Sequence, residues 1–391
     1  MVKDLKLGLI GFGLRARSLS KVAHRPGEGS RVVSVFDVDD RARDDARNEL
    51  GHEIVTHDHL DSLLEDDLDA LLIVSPDHLH EEHATAALRA GFTVYLEKPM
   101  AVTVEGCDQI LAAARQSSGK LYLGHNMRHM PFVQEMKKLI DSGAIGEPKV
   151  AWCRHFVGHG GDFYFRDWHA ERRTTTGLLL QKGAHDIDIL HWLMGGYSEQ
   201  VTAMGQLMMY GANHRRAADD PGVPWRLDEN PLSTWPPANL DNLNPVVDVE
   251  DLSMVQMSLD NGTMASYQQC HFTPDYWRSY TIIGTEGRIE NIGDVADGTV
   301  INLWNKRHYG YAAADRIIPV HPEPGGHGGA DARIMKEFLR FVSAGGKIET
   351  SPVAARNAVA AAVAATTSLR HGGTPQRVVP AAAEDLQFFE G

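Results

Sequence analysis

Near the N-terminus stands Leu5-Lys6-Leu7-Gly8-Leu9-Ile10-Gly11-Phe12-Gly13-Leu14-Arg15-Ala16. Leu5–Ile10 reads as a short strand, and G-x-G-x-x-A follows it directly at the start of a helical pattern. Gly11 permits the tight turn, and Gly13 leaves the backbone open to a pyrophosphate. Ala16 stands where a third small residue packs helix on strand. Amides at the helix N-terminus attract phosphate, so Phe12 and Leu14 belong to the same binding loop. Asp37 closes the second strand. A carboxylate there accepts a hydrogen bond from a ribose 2′-hydroxyl and repels a 2′-phosphate, so NAD is expected in preference to NADP.

Outward from this loop, strand-like runs alternate with helical patterns up to about residue 124. The runs are Leu5–Ile10, Arg31–Asp37, a weaker Glu53–Val55, Ala70–Val74, Thr93–Leu96 and Leu121–Leu123. Gly51 and Gly91 close two of the helices at the position where glycine alone enters the left-handed region cheaply. Such alternation predicts a doubly wound parallel sheet, a Rossmann domain over residues 1–124. Beyond residue 150 the texture changes, and all seven Trp lie between Trp152 and Trp304. Leu252–Leu259 and Thr263–His271 flank the hairpin signal Asp260-Asn261-Gly262, and Gly284-Thr285-Glu286-Gly287 marks a second turn. Residues 125–391 read as an α+β domain with an open, mostly antiparallel sheet. Gly211–Pro245 is polar and holds six prolines, so it can be neither a helix nor a central strand; a lid or subunit arm is expected there. Helices are expected over 331–344 and 352–371, the second with Ser351 as N-cap, Pro352 at N1 and a stop at His371-Gly372-Gly373.

Composition limits the partners. The chain has 391 residues, enough for two domains at roughly 150 each. With 43% apolar and 23% charged residues it has ordinary globular usage. The formal charge is −14, and no Lys/Arg-rich block interrupts that acidity, which argues against nucleic acid and anionic membranes as partners. There is no apolar run of about eighteen residues for a membrane span and no signal-peptide layout at the N-terminus. Cys107, Cys153 and Cys270 are odd in number and far apart, as for free thiols in a reducing cytoplasm.

Ser75-Pro76-Asp77 closes the fourth strand at its carboxyl end, where open α/β sheets bind ligands. His80 follows on the next helix, whereas His78 and His83 read as exposed polar groups. At Glu97-Lys98-Pro99 a signature appears. Together with the glycine loop, Ser75-Pro76-Asp77-His78-Leu79-His80 and Met100-Ala101, the chain resembles the glucose–fructose oxidoreductase/inositol dehydrogenase (Gfo/Idh/MocA) family. The likeness continues through Gly124-His125-Asn126-Met127-Arg128, Gly183-Ala184-His185-Asp186-Ile187-Asp188 and Gly284-Thr285-Glu286-Gly287.

The resemblance implies a Rossmann domain followed by a sheet domain that often mediates dimers or tetramers. It implies NAD(P)-dependent chemistry on sugars, polyols or related molecules, and a cis peptide before Pro99. It places Lys98 at the nicotinamide, with Ser75, Pro76, His80, Glu97 and Asn126 also on the cofactor and Arg128 towards substrate. The chemistry agrees. Oxidising a secondary alcohol releases a hydroxyl proton as hydride leaves carbon, and a desolvated lysine beside a positive ring is a suitable base. The second catalytic position is His185, on an expected helix over Thr175–Gly195 capped by Thr175 or Thr176, where Gln181, His185, Asp188 and Trp192 share a face. Asp188 would fix the His185 tautomer.

The chain departs from the family pattern at Gln181, where many members carry Asp, and at Asp77, where Asn is usual. Gln cannot accept a proton, and the adjacent Lys182 is a cation that changes which substrate group is recognised. His155 and His159 form a zinc pair only on a helix. Val150–Val157 reads as a strand that separates them by about 13 Å, so no metal is expected. Gly161–His169, with Arg166 and Trp168, reads either as a sugar pocket or as a core aromatic cluster. Gly325-Gly326-His327-Gly328-Gly329 reads as a ligand loop or a connector. Hydrolase and kinase signatures are missing. The leading expectation is a cytoplasmic, homo-oligomeric NAD-dependent oxidoreductase of a sugar, polyol or glycoside. Its rivals are a redox-assisted glycosidase or lyase and a non-catalytic NAD and sugar sensor.

Overall fold

A computed structural model describes residues 3–220 and 234–391. The chain divides into two compact units. One comprises Met1–His129, Pro324–Arg356 and Ala381–Gly391, and the other Met130–Glu323 and Asn357–Pro380.

The first unit is built on strands β1 (Leu5–Ile10), β2 (Ser30–Phe36), β3 (Val55–His57), β4 (Ala70–Ile73), β5 (Thr93–Leu96) and β6 (Leu121–Leu123), in the order β3-β2-β1-β4-β5-β6. Every pairing is parallel. Helices cover both faces of such a sheet, which is why β4 reads as an unbroken apolar run, Ala70-Leu71-Leu72-Ile73, buried throughout. The strand and helix alternation expected from the sequence is present.

One element lies where the sequence did not place it. The helix Ala330–Ala344 belongs to this unit and not to the domain expected over 125–391, as do the start of the helix Pro352–Arg370 and the last eleven residues. Ile334, Met335 and Phe338 fall on one helical face and join the core of Leu7, Leu9, Val32 and Val35. The Phe338 ring centroid lies 5.4 Å from both Tyr95 and Tyr122, which stack on each other at 5.7 Å.

The second unit carries strands β7 (Pro148–Val157), β8 (Ser198–Gln206), β9 (Leu252–Leu259), β10 (Met264–Cys270), β11 (Tyr276–Gly284), β12 (Arg288–Ile292), β13 (Val300–Trp304), β14 (Arg316–Pro319) and β15 (Gln376–Arg377). Their order is β14-β13-β12-β11-β7-β10-β9-β8-β15, antiparallel except for β7 beside β10. Gly262 takes φ +80° in the β9–β10 hairpin, as the Asn-Gly turn demands. The helix Gly183–Met194, with every residue but Trp192 buried, lies over β7 and β10.

The single helix expected over Thr175–Gly195 is instead three pieces: Arg172–Thr175, Leu178–Gln181 and Gly183–Met194. Thr176 at φ 61° and the extended Gly177 interrupt it, and neither Thr175 nor Thr176 caps the long helix. Part of the proline-rich stretch, 221–233, lies outside the described residues. Its flanks hold Leu240 and Leu243 in a core cluster with Tyr164, Phe165 and Tyr210.

Removing the Phe338 ring empties the centre of the first unit's aromatic cluster. Phe338→Ala should lower its stability by about 3–5 kcal/mol in urea denaturation; a loss below about 1 kcal/mol would place this helix outside the core.

Candidate active site

Gly11 holds φ +91°, and a Cβ there would sit 3.0 Å from the Ser75 backbone, so only glycine turns the chain at this point. At Gly13 a Cβ would meet nothing within 4 Å. The helix Leu14–Ala23 has no side-chain N-cap and no acid in its first turn. Its N-terminal amides are therefore left for an anion. Asp37 is set against them. One carboxylate oxygen accepts from the Phe12 amide at 2.8 Å and the other from the Asp39 amide at 2.9 Å, leaving lone pairs for a ribose hydroxyl. These residues fit a dinucleotide.

The Arg15 guanidinium is taken up by two carboxylates. Its Nε donates to Glu97 at 2.7 Å and its two terminal nitrogens to Asp331 at 3.0 Å each. Asp331 also accepts from Asn126 Nδ2 at 2.9 Å and pairs with His327 at 3.2 Å. Burial opposes its ionisation, but the His327 hydrogen bond and Arg15 outweigh that and hold the carboxyl far below the usual range. The Asn126 amide oxygen is buried without a partner among the described residues, an acceptor left for a ligand. Glu97 further accepts from the Lys98 amide at 3.1 Å, and the Lys98–Pro99 peptide is cis, as the resemblance implied.

His80 is buried, with Nδ1 2.7 Å from the Pro99 carbonyl and Nε2 2.9 Å from the Ser75 carbonyl. It braces the end of β4, ahead of Pro76, against the Lys98–Pro99 turn and offers a ligand neither nitrogen. His78 is exposed as expected, but His83 is buried, within 2.9 Å of Ser75 Oγ and edge-on to Phe36. Burial, then His80 and His78, push His83 down to about 4. Arg128, expected towards substrate, donates to the Glu349 carbonyl at 2.8 Å within the first unit.

The second unit holds His185, Gln181, Lys182 and Asp188, all buried. Its centre is a residue the sequence reading passed over. Asp186 has no exposed surface and accepts from His155 Nδ1 at 2.9 Å, Tyr267 Oη at 3.0 Å, Arg278 Nε at 3.1 Å and Tyr280 Oη. Burial resists its ionisation, but His155 and Arg278 keep the carboxyl well below the ordinary range. Strand registry builds this site. Arg278, His155, Gln269 and Ser253 are successive partners across β11, β7, β10 and β9, and all four are buried. Burial, then Arg278, lower His155 to about 3, so Nδ1 carries the proton towards Asp186. Burial, then Arg278, also push the Lys182 amine down to about 7, against the pull of Asp186 and Asp294.

His155 and His159 lie on or just beyond β7, and His155 is engaged by Asp186. Of the Gly161–His169 segment, Tyr164 and Phe165 are core residues, which is the aromatic-cluster alternative. Arg166 pairs with Asp162 at 3.3 Å, and Trp168 stacks on His169. Asp331, Asp186 and Arg278 were missed because single acids and arginines carry no local spacing signal. His155 had one, since alternation along β7 turns it to the same side as Cys153 and Val157.

A parallel sheet ending in an uncapped glycine loop, followed by a large mostly antiparallel sheet, defines a two-part dinucleotide-binding oxidoreductase. Residues 5–125 match the family model described as "Oxidoreductase family, NAD-binding Rossmann fold", and residues 133–290 match the GFO/IDH/MocA C-terminal domain. The chain belongs to the Gfo/Idh/MocA family of NAD-binding oxidoreductases. It is 30% identical over 200 residues to inositol 2-dehydrogenase 1 of Saccharopolyspora erythraea, covering 51% of this chain and 57% of that protein. It is 35% identical over 195 residues to inositol 2-dehydrogenase of Pseudomonas syringae pv. syringae, covering 49% and 54%. These matches span about half the length of those relatives. The fold is similar to that of levoglucosan dehydrogenase solved with NADH, at TM-score 0.77 and 20% identity over 97% of this chain and 100% of that one. No helix among the described residues is long and apolar enough to cross a membrane.

Two of the lowered histidines, His83 and His155, set a pH dependence. His155 and His83 are neutral when folded and titrate near 6.5 when unfolded. Their contribution is complete above about pH 6.5 and is lost as pH falls from there towards about 4 and 3. Unfolding free energies from urea titrations should drop through that window, by up to about 1.4 kcal/mol per pH unit for each histidine. A profile unchanged by His155→Gln would remove His155 from this account.

Proposed function

We propose that this chain is an NAD-dependent dehydrogenase acting on a secondary alcohol of a sugar or polyol, with Lys98 as the acid–base group and His185 as its assistant. The observation that carries the proposal is the anchoring of Lys98. Its amide is held by Glu97, whose carboxylate is tied to Arg15 on the glycine-loop helix, so the Lys98–Pro99 turn is bound to the dinucleotide loop itself. His80 holds the same turn from the other side. The names of the relatives, inositol and levoglucosan dehydrogenases, support an alcohol of a ring polyol or sugar as substrate.

Bound NAD supplies the hydride acceptor. Gly11 and Gly13 would let its phosphates approach the Gly13 and Leu14 amides, Asp37, held by the Phe12 amide, would take its ribose, and the free oxygen of Asn126 an amide N–H. Lys98 Nζ takes the hydroxyl proton as the carbonyl forms and returns it in the reverse direction. His185, in the second unit, would accept a hydrogen bond from a substrate hydroxyl or donate one to it. We also infer a reducing, cytoplasmic setting from three cysteines that are all free thiols.

The test is NADH formation across a panel of sugars, polyols and glycosides, with products identified by mass spectrometry. Lys98→Gln should cut turnover by about two to four orders of magnitude while NAD still binds. Near-normal turnover would refute the assignment, and glycoside cleavage without NADH would replace dehydrogenation by redox-assisted elimination.

We further propose a homo-oligomer formed through the outer face of the second sheet. Trp152, Met204, Met254 and Met264 stand exposed there on β7, β8, β9 and β10, set among Arg154, Gln256, Ser266 and Gln268, a mixed apolar and polar surface of the kind that interfaces use. Light scattering should give a dimer or tetramer mass, and Trp152→Glu with Met254→Glu should shift it towards the monomer. A monomeric wild type would end this proposal.

A further inference from the structure

Lys182 interrupts the chain between the helices Leu178–Gln181 and Gly183–Met194 and keeps only 8% of its surface. Among the described residues its amine has neither a hydrogen bond nor an ion pair; it lies 5.7 Å from the Tyr164 ring centroid and 5.8 Å from that of Tyr276. An ammonium has three donors and no acceptor, and taking it out of water without a counter-charge is costly.

The groups around it do not answer that charge. His155 on β7 and His271 after β10 are buried imidazoles held neutral. Arg278 on β11 is a second cation. Asp186 is already saturated by His155, Tyr267, Arg278 and Tyr280. Asp294 takes the Arg278 amide at 3.1 Å and the Val295 amide at 2.8 Å, with the Arg278 guanidinium 3.8 Å away. Gln181, next in the chain, is uncharged. The cluster therefore has a cation with aromatic walls and no resident anion to meet it.

We propose that Lys182 holds the carboxylate of a hydroxylated acid, so that the sugar this chain acts on is an aldonate or a uronate. This rests on the dehydrogenase reading and narrows it from polyols in general to sugar acids. A single cation between two flat rings suits a planar, singly charged group better than a phosphate, which calls for several donors. The pairing is pH-dependent. Burial and Arg278 lower the amine to about 7, so the ammonium is complete below that pH and is lost as pH rises through it.

Calorimetric titration of the whole protein with D-gluconate, D-glucuronate, D-glucose, myo-inositol and glucose 6-phosphate tests this at about pH 6 and about pH 8.5. At the lower pH one of the acids should bind at least about 30-fold more tightly than the neutral compounds. That advantage should shrink about tenfold or more at the higher pH. Lys182→Met should abolish it at both. Lys182→Arg should keep it with little pH dependence, because guanidinium does not titrate there. If Lys182→Met fails to fold, the wild-type pH dependence and the arginine variant carry the test. Equal binding of acids and neutral sugars, no binding by either acid, a preference that survives Lys182→Met, or tighter binding of glucose 6-phosphate would each overturn the proposal. NADH formed from neutral polyols with no preference for acids would overturn it and leave the dehydrogenase standing. Lys182-dependent acid binding without NADH from any compound would do the reverse.

Discussion

The Asp186 carboxylate is sealed from solvent and takes hydrogen bonds from side chains on three adjacent strands: His155 of β7, Tyr267 of β10, and Arg278 and Tyr280 of β11. A buried charge is tolerable only when its partners are all in place, so this residue fixes the strands to the helix above them. A slip of one residue in β7 would turn His155 to the outer face and Arg154 inward. The network thus specifies registry, whatever its net worth in stability. It also shapes the electrostatics nearby, since Arg278, paired with Asp186, lowers His155 and Lys182 after burial does.

The first unit has a counterpart in Asp331. Arg15 stands in the turn after Gly13, where a cation serves readily as a phosphate ligand, yet its guanidinium is divided between Glu97 and Asp331. What remains for a pyrophosphate is the backbone: open amides at an uncapped helix start, with Gly13 clear of neighbours. That is consistent with a chain of net charge −14, which holds anions by local dipoles and not by a general positive field. Arg17 is likewise occupied, by Asp45, Glu49 and the face of Phe12.

Much of this was legible in the sequence wherever a feature is local. The glycine loop, most of the β-strand runs, Asn261-Gly262 and Ser351-Pro352 each depend on residues within a few positions and stand as read; the weak run expected over Glu53–Val55 lies instead at Val55–His57. The failures share a cause. Ala330–Ala344 is as amphipathic as any surface helix, and nothing in its own residues says which unit's core it completes. His83 looked like a solvated group on a polar helix turn because Phe36 of β2 and Ser75, in the loop after β4, enclose it from elsewhere in the chain. The break at Lys182 was hidden because Leu178–Met194 has helical composition throughout, and the break before Leu178 lies in the backbone of Thr176 and Gly177. Asp186 and Arg278 are 92 positions apart, and no periodicity connects them.

The return of Pro324–Arg356 to the first unit has a bearing on how the molecule is made. When His129 leaves the ribosome, all six strands of the parallel sheet have been synthesised, but Tyr95 and Tyr122 lack the Phe338 ring and Arg15 lacks Asp331. At about 5–20 residues per second, the wait until Pro324 emerges is about ten to forty seconds. Through that interval the nascent sheet lacks the cover of Phe338 over Tyr95 and Tyr122, while Met130–Glu323 of the second unit is produced after it. The chain is therefore a discontinuous folder during translation. Its first-made unit is the last to be closed, because Tyr95 and Tyr122 wait for the helix Ala330–Ala344 to complete their cluster.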